Sequence, residues 1–142
     1  MLPKTHFFLA LLFSILLYAL GLATPLQALT VLAAGVLIDV DHWLVYAIKK
    51  KDLSIKRAYR WFYQFYKKNV NKGFLCIFHT IEAFILVALL SIKFQFFLFV
   101  LIGMAFHNAL DIAESIHRGF YGRPISLICF LWRGPASGRT VK

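Results

Sequence analysis

Acidic residues and sulfur are both scarce in this chain. Only six of its 142 residues are Asp or Glu, against sixteen Lys and Arg, which gives a formal net charge of +10 at neutral pH. The two cysteines, Cys76 and Cys129, have no C-x-x-C spacing and offer no disulfide framework, so they are expected as buried thiols in a reducing compartment. Neither an internal repeat nor a glycine-rich phosphate-cradling loop is present. One further absence decides more than these. No Lys or Arg lies inside the apolar runs; all sit outside them or at their edges.

What fills the chain instead is apolar. Hydrophobic residues make up 61% and the mean hydropathy is +0.73, beyond what a soluble domain carries. Runs over 7–23, 26–48, 73–92 and 94–116 are long enough, or nearly so, to cross a hydrocarbon layer of roughly 30 Å. Gly21 and Thr24-Pro25 separate the first two runs and Lys93 the last two. The expected fold is therefore all-α, a single membrane domain over 1–142 built as a four-helix bundle. A cleavable signal peptide ending near Gly21-Leu22-Ala23 is the alternative for the first run.

Basic residues orient this bundle, because Lys and Arg near span ends are retained in the cytoplasm. Nine fall between Lys49 and Lys72, and five follow the fourth run. None separates the first two runs, and Lys93 stands alone between the last two. Both termini are expected in the cytoplasm and the protein in the inner membrane as a multi-pass component. Within the large cytoplasmic loop, residues 54–69 carry Ile55, Ala58, Tyr59, Phe62, Phe65 and Tyr66 at helical spacing, opposite Arg57, Arg60, Gln64, Lys67 and Lys68. That pattern predicts an amphipathic interfacial helix, N-capped by Ser54. Its basic face would meet anionic headgroups and Trp61 and Tyr63 would sit at the boundary. The membrane accounts for both the basic and the aromatic content, so nucleic acid is not an expected partner.

Five of the six carboxylates lie inside or at the ends of the apolar runs: Asp39, Asp41, Glu82, Asp111 and Glu114. His42, His79, His107 and His117 accompany them. A charge at the bilayer centre costs roughly 2.5–3.5 kcal/mol on insertion scales, and no basic side chain is at hand to compensate it. Protons, histidines or a bound cation remain as the neutralising partner, and a metal is the leading reading. In depth, Asp39, His79 and Asp111 fall about 10–15 Å from the inner surface, one layer shared by three spans. His6, beside Lys4, reads as a solvated end residue. Asp39/His42, His79/Glu82, His107/Asp111 and Asp111/Glu114 are three or four apart and share helix faces. Asp41 stands about 200° from Asp39 on a regular helix, so both reach one centre only if the helix is distorted or two metals bind. His, Asp and Glu donors suit zinc, manganese or iron.

Ile38-Asp39-Val40-Asp41-His42, His79-Thr80 and Gly103-x-x-x-His107-x-x-x-Asp111 resemble the motifs of small bacterial and archaeal inner-membrane metal-dependent hydrolases. Those proteins are distantly similar to zinc-dependent phospholipase C and P1-type nucleases. The resemblance runs over nearly the whole chain. Departures are Ile38 where the family usually has Pro, Thr80 for Ser, and no second His upstream of His79. The resemblance implies hydrolysis of a phosphoester, with Asp39, Asp41, His42, His79, His107 and Asp111 holding one or two divalent ions, zinc foremost. Glu82 or Glu114 would then take the proton from water, Glu82 being favoured because it is one turn from His79 and deeper. Arg118 and Arg123, in the turn after the fourth run, are candidates for holding a substrate phosphate, a lipid phosphate being one candidate. Residues 125–132 are too few to span and are expected to cover the cytoplasmic mouth, and the tail from Gly134 is expected to be disordered. A proton- or metal-coupled transporter, or a structural membrane subunit, would use the same polar residues differently.

Overall fold

A computed structural model describes residues 3–68, 74–119 and 125–133. Helix is the one regular structure, with no strand among the described residues: α1 (Pro3–Ala19), α2 (Pro25–Leu37), α3 (Val40–Lys50), α4 (Ile55–Lys68), a 3₁₀ turn (Ile77–His79), α5 (Ile81–Lys93), α6 (Gln95–Arg118) and α7 (Leu127–Arg133). Arg123, Asn69 and the tail from Gly134 lie outside the described residues. Two stretches, Pro25–Lys50 and Gln95–His117, are long and apolar enough to cross a membrane; Lys4–Ala19 is a shorter apolar helix.

Local chemistry sets the ends of these helices. Gly21 takes a left-handed φ of 70°, and Leu22 N–H closes back on the Leu17 carbonyl at 3.0 Å, stopping α1. Three residues later the Thr24 hydroxyl accepts from Gln27 N–H, the Gln27 side chain accepts from Thr24 N–H at 2.8 Å, and Pro25 takes the first helical turn. Ser54 caps α4 as expected, accepting from Arg57 N–H at 3.4 Å.

The second and third apolar runs are not the uninterrupted helices that their composition predicts. Between α2 and α3 the chain turns at Ile38 and Asp39, where His42 N–H reaches the Asp39 carbonyl at 3.1 Å in place of the regular ladder. The third run enters as non-helical chain and a 3₁₀ turn, and α5 begins only at Ile81. Thr80 is extended (φ −88°, ψ 153°), and its hydroxyl accepts from Ala83 N–H. A β-branched residue with a capping hydroxyl favours a helix start over a helix interior.

α6 is the hub, packed on α2, α5 and α1. Its approach to α2 is possible only without a side chain at Gly103, where a Cβ would sit 2.4 Å from the Val31 carbonyl oxygen. Gly35 on α2 faces the same crossing, where a Cβ would sit 3.4 Å from the Gly103 carbonyl oxygen. Ala23, Ala28, Val31 and Phe99 form the buried cluster at one end of this contact. Facing outward on α1, α2, α5 and α6 are large apolar side chains, among them Leu12, Leu16, Leu29, Leu86, Phe96 and Ile112. So extended an apolar exterior is what a lipid-facing surface requires.

α4 folds back onto α3 rather than standing apart. Ala58 and Phe62 are buried with Tyr46, and Trp61 stacks on Phe74 at 5.0 Å. Trp61 thus packs within the protein, while Tyr63 is exposed. The corner is closed by Asp52, which accepts from both Nε and Nη2 of Arg57 (2.6 and 2.7 Å), from Ser54 N–H (3.0 Å) and from the Tyr46 hydroxyl. The guanidinium of Arg57 is the main reason that the Asp52 carboxyl is held well below the usual carboxylate range.

Candidate metal centre

Three elements bring four polar residues to one place. α6 supplies His107 and Asp111 one turn apart, the α2–α3 turn supplies Asp39, and the 3₁₀ turn supplies His79. One ligand atom from each of these four lies within 4.8 Å of the others. His107 Nε2 is 3.4 Å from Asp39 Oδ1 and 3.5 Å from Asp111 Oδ2; His79 Nε2 is 3.8 and 3.6 Å from the same two atoms. Both Nε2 atoms are buried and have no hydrogen-bond partner.

That condition is costly unless a ligand completes it, because a buried polar atom left unpaired forfeits about 1–3 kcal/mol. The other ring nitrogens explain how it is held. His107 Nδ1 lies 2.7 Å from the Gly35 carbonyl, which can only accept, so Nδ1 carries a proton and Nε2, facing the two carboxylates, is the atom left to act as a ligand. His79 Nδ1 lies 3.1 Å from Asp41 Oδ2, with the same consequence. Carbonyl and carboxylate partners behind the imidazoles are the usual support of metal-ligating histidines. The donor set therefore fits a divalent cation. Asp39 has a side chain 37% exposed, against 6% or less for the other three, and forms the open side of the group.

The close α2–α6 crossing at Gly35 and Gly103 sets this geometry up. It brings a backbone carbonyl of one helix within reach of an imidazole one turn along the other. The break at Ile38 and Asp39 does the rest. Asp39 joins His79, His107 and Asp111 there, while Asp41 joins a separate group with His42, Cys76 and His79, so the two carboxylates do not share one centre. Asp41 stands behind the centre, its Oδ2 accepting from Phe78 N–H at 3.0 Å as well as from His79, and its Oδ1 3.0 Å from His42 Nδ1.

Two further groups adjoin this one. His6, Asp111 and Glu114 offer ligand atoms within 4.8 Å of one another, as do Asp41, His42, Cys76 and His79. His6 is thus no solvated end residue: it is 4% exposed, with Nε2 3.3 Å from Asp111 Oδ1 and Nδ1 3.2 Å from His107 Nδ1. The signal in the sequence was a histidine at the start of an apolar run. Asp111 faces both ways, Oδ2 toward His79 and His107 and Oδ1 toward His6.

Glu82 is elsewhere. The extended residue Thr80 separates it from His79, so the two do not share a helix face as regular spacing predicts. Its carboxylate accepts from the Ser126 hydroxyl (2.5 Å), Leu127 N–H (3.0 Å) and Ile128 N–H (3.1 Å), tying the start of α7 to α5. Ile81 N–H adds a bond to the Ile125 carbonyl at 2.9 Å. His117 is exposed at the end of α6, and Arg118 is the last residue of that helix. Cys76 and Cys129 form no disulfide; Cys76 is buried, whereas Cys129 is exposed, contrary to expectation. Compared with family models, curated proteins and solved structures, the chain matches none.

Proposed function

We propose that this protein is a multi-pass inner-membrane hydrolase of phosphoesters, built as a four-span bundle with both termini in the cytoplasm. On this reading its metal is held by Asp39, His79, His107 and Asp111. The observation that carries it is the pair of buried imidazole Nε2 atoms, each backed by an acceptor on the opposite ring nitrogen and each aimed at the same two carboxylates. Zinc is the first choice of ion for two imidazoles and two carboxylates, and the His6–Asp111–Glu114 group offers room for a second ion. A cation of this kind lowers the pKa of water and offsets charge on a phosphoryl oxygen.

The chain's own residues supply the rest. Asp41 fixes the His79 ring and the Gly35 carbonyl fixes the His107 ring, so their lone pairs stay directed at the centre. Glu114, half-buried beside Asp111 and His6, is the carboxylate placed to accept a proton, whereas Glu82 has both oxygens engaged at α7. α4 lies on the cytoplasmic side with Lys56 and Arg60 exposed, suited to anionic headgroups, which favours a lipid phosphate as substrate. Arg118 belongs to the phosphate-holding part of this reading.

A second reading has an observation of its own. His42, Asp41, His79, Asp111 and His6 form a continuous series of imidazole–carboxylate contacts of 3.0–3.6 Å. Such a series can pass protons in a coupled transporter. Detergent-purified protein separates the two. Elemental analysis is expected to find at least about one Zn, Mn or Fe per chain, lost in a His107→Ala, Asp111→Ala double variant. Glu114→Gln is expected to keep the ion held by Asp39, His79, His107 and Asp111 and to lose hydrolysis of lipid phosphates or phosphodiesters. No metal in the wild-type protein would sink the hydrolase. Metal without turnover, alongside proton- or metal-coupled flux in liposomes, would favour the transporter.

A further inference from the structure

Of the group Asp41, His42, Cys76 and His79, only His79 is also a candidate ligand of the centre described above, which Asp41 supports by accepting from His79 and which His42 touches, its Nδ1 3.3 Å from Asp39 Oδ1. Its members come from the first turn of α3, the residue preceding the 3₁₀ turn and the end of that turn, and their ligand atoms lie within 4.8 Å of one another. Asp41 and Cys76 are buried and the His42 side chain is 16% exposed. We propose that Asp41, His42 and Cys76 form a second metal position, selective for thiophilic ions, beside the oxygen- and nitrogen-lined centre.

His79 belongs to both groups by distance but can serve only one. Its Nδ1–H donates to Asp41 Oδ2, and its lone pair on Nε2 faces Asp39, His107 and Asp111. Asp41 is divided in the same way. Oδ2 is taken by His79 and by Phe78 N–H, while Oδ1 faces the His42 ring nitrogen at 3.0 Å. The second position therefore has its own three donors: one carboxylate oxygen, one imidazole nitrogen and one sulfur. Three protein ligands leave a fourth place on a tetrahedral ion. Sulfur sets the preference, because a thiolate selects Zn²⁺, Cd²⁺ or Cu⁺ and disfavours Mn²⁺, Mg²⁺ and Ca²⁺. The first centre has no sulfur donor, so the two positions differ in the ions that they retain. Asp41 connects them, since the carboxylate that would hold one ion also orients the histidine that faces the other.

Sulfur also makes the second position visible independently of any activity. Cys129 is exposed in α7 and takes no part, so full-length Cys129→Ser protein serves as the parent. Stripped of metal in detergent, it is titrated with Cd²⁺ and with Co²⁺ while thiolate-to-metal charge-transfer absorbance is followed. One band-forming equivalent is expected. It should persist when His107→Ala and Asp111→Ala remove the first centre, and vanish with Cys76→Ser. Should Cys76→Ser fail to fold, the parent protein supplies a second measurement. Bound Cd²⁺ should slow alkylation of Cys76 at least about tenfold, and Mn²⁺ at the same concentration should not. No charge-transfer band in the parent, a band surviving Cys76→Ser, or alkylation unaffected by Cd²⁺ would overturn the proposal. Those failures leave the hydrolase reading untouched. A band with no metal at the first centre would spare this position and sink that one.

Discussion

The corner between α3 and α4 and the centre between α2 and α6 are both polar, yet they are finished in opposite ways. At the corner every partner is protein: Asp52 binds Arg57, Ser54 and Tyr46, and Lys49 lies over the Phe74 ring at 4.0 Å. At the centre, His79 and His107 have one ring nitrogen satisfied and the other unpaired, although both atoms are buried. A polar group that is fully paired stabilises the fold; one kept unpaired at a cost is held for something else. The contrast marks the corner as architecture and the centre as a group that could hold a metal ion, and substitutions can test it from both sides.

The largest effect is expected at the helix crossing on which the centre depends. In Gly103→Ala the new methyl meets a backbone carbonyl at 2.4 Å, so α2 and α6 must part. Overpacking of this kind costs about 1–3 kcal/mol. Thermal unfolding in detergent should shift down, and metal retention should fall as well, because the Gly35 carbonyl would leave His107. Retained metal together with an unshifted melting temperature would show that the crossing does not set the site.

A smaller effect is expected at the corner. Asp52→Asn keeps the shape but weakens the pairing with Arg57, so amides of α4 should exchange faster with solvent while metal content stays the same. The pH dependence has a definite sign. Because the folded-state carboxyl is depressed, chiefly by Arg57, its contribution is complete above the ordinary aspartate value of about 3.9 and is lost as pH falls through the lower folded value. α4 exchange in the wild type should therefore accelerate only in strong acid, and Asp52→Asn should remove that step. Metal loss in Asp52→Asn would mean that corner and centre are not separable.

The smallest effect is expected from Glu82→Gln. The amide oxygen still accepts, but without the charge, so Leu127 and Ile128 amides should exchange faster and hydrolysis should continue. Abolished turnover with metal still bound would return Glu82 to the proton-accepting role that its spacing from His79 suggests.

Much of this was legible before any coordinates. The all-helical class followed from four apolar runs, α4 from its aromatic and basic spacing, and the pairing of His107 with Asp111 from one helical turn. The place of Glu82 relative to His79 and the burial of His6 escape sequence spacing for a common reason. Spacing predicts neighbours only where the helix is regular and only along that helix, and Glu82 follows an extended residue while His6 acts across a helix interface.

The amino-acid sequence by itself determined which residues are too polar for their surroundings, because burial of charge without a basic partner is a property of composition and order. Only the tertiary structure decided how those residues divide. The turn at Ile38 and Asp39 sets Asp39 in the centre and Asp41 behind it, the glycine crossing gives His107 its carbonyl, and the extended Thr80 sends Glu82 to α7. Each depends on where a backbone departs from the helix or how closely two helices approach. Local capping sets the first and the facing glycines the second, and which segments then meet is not encoded by any local periodicity.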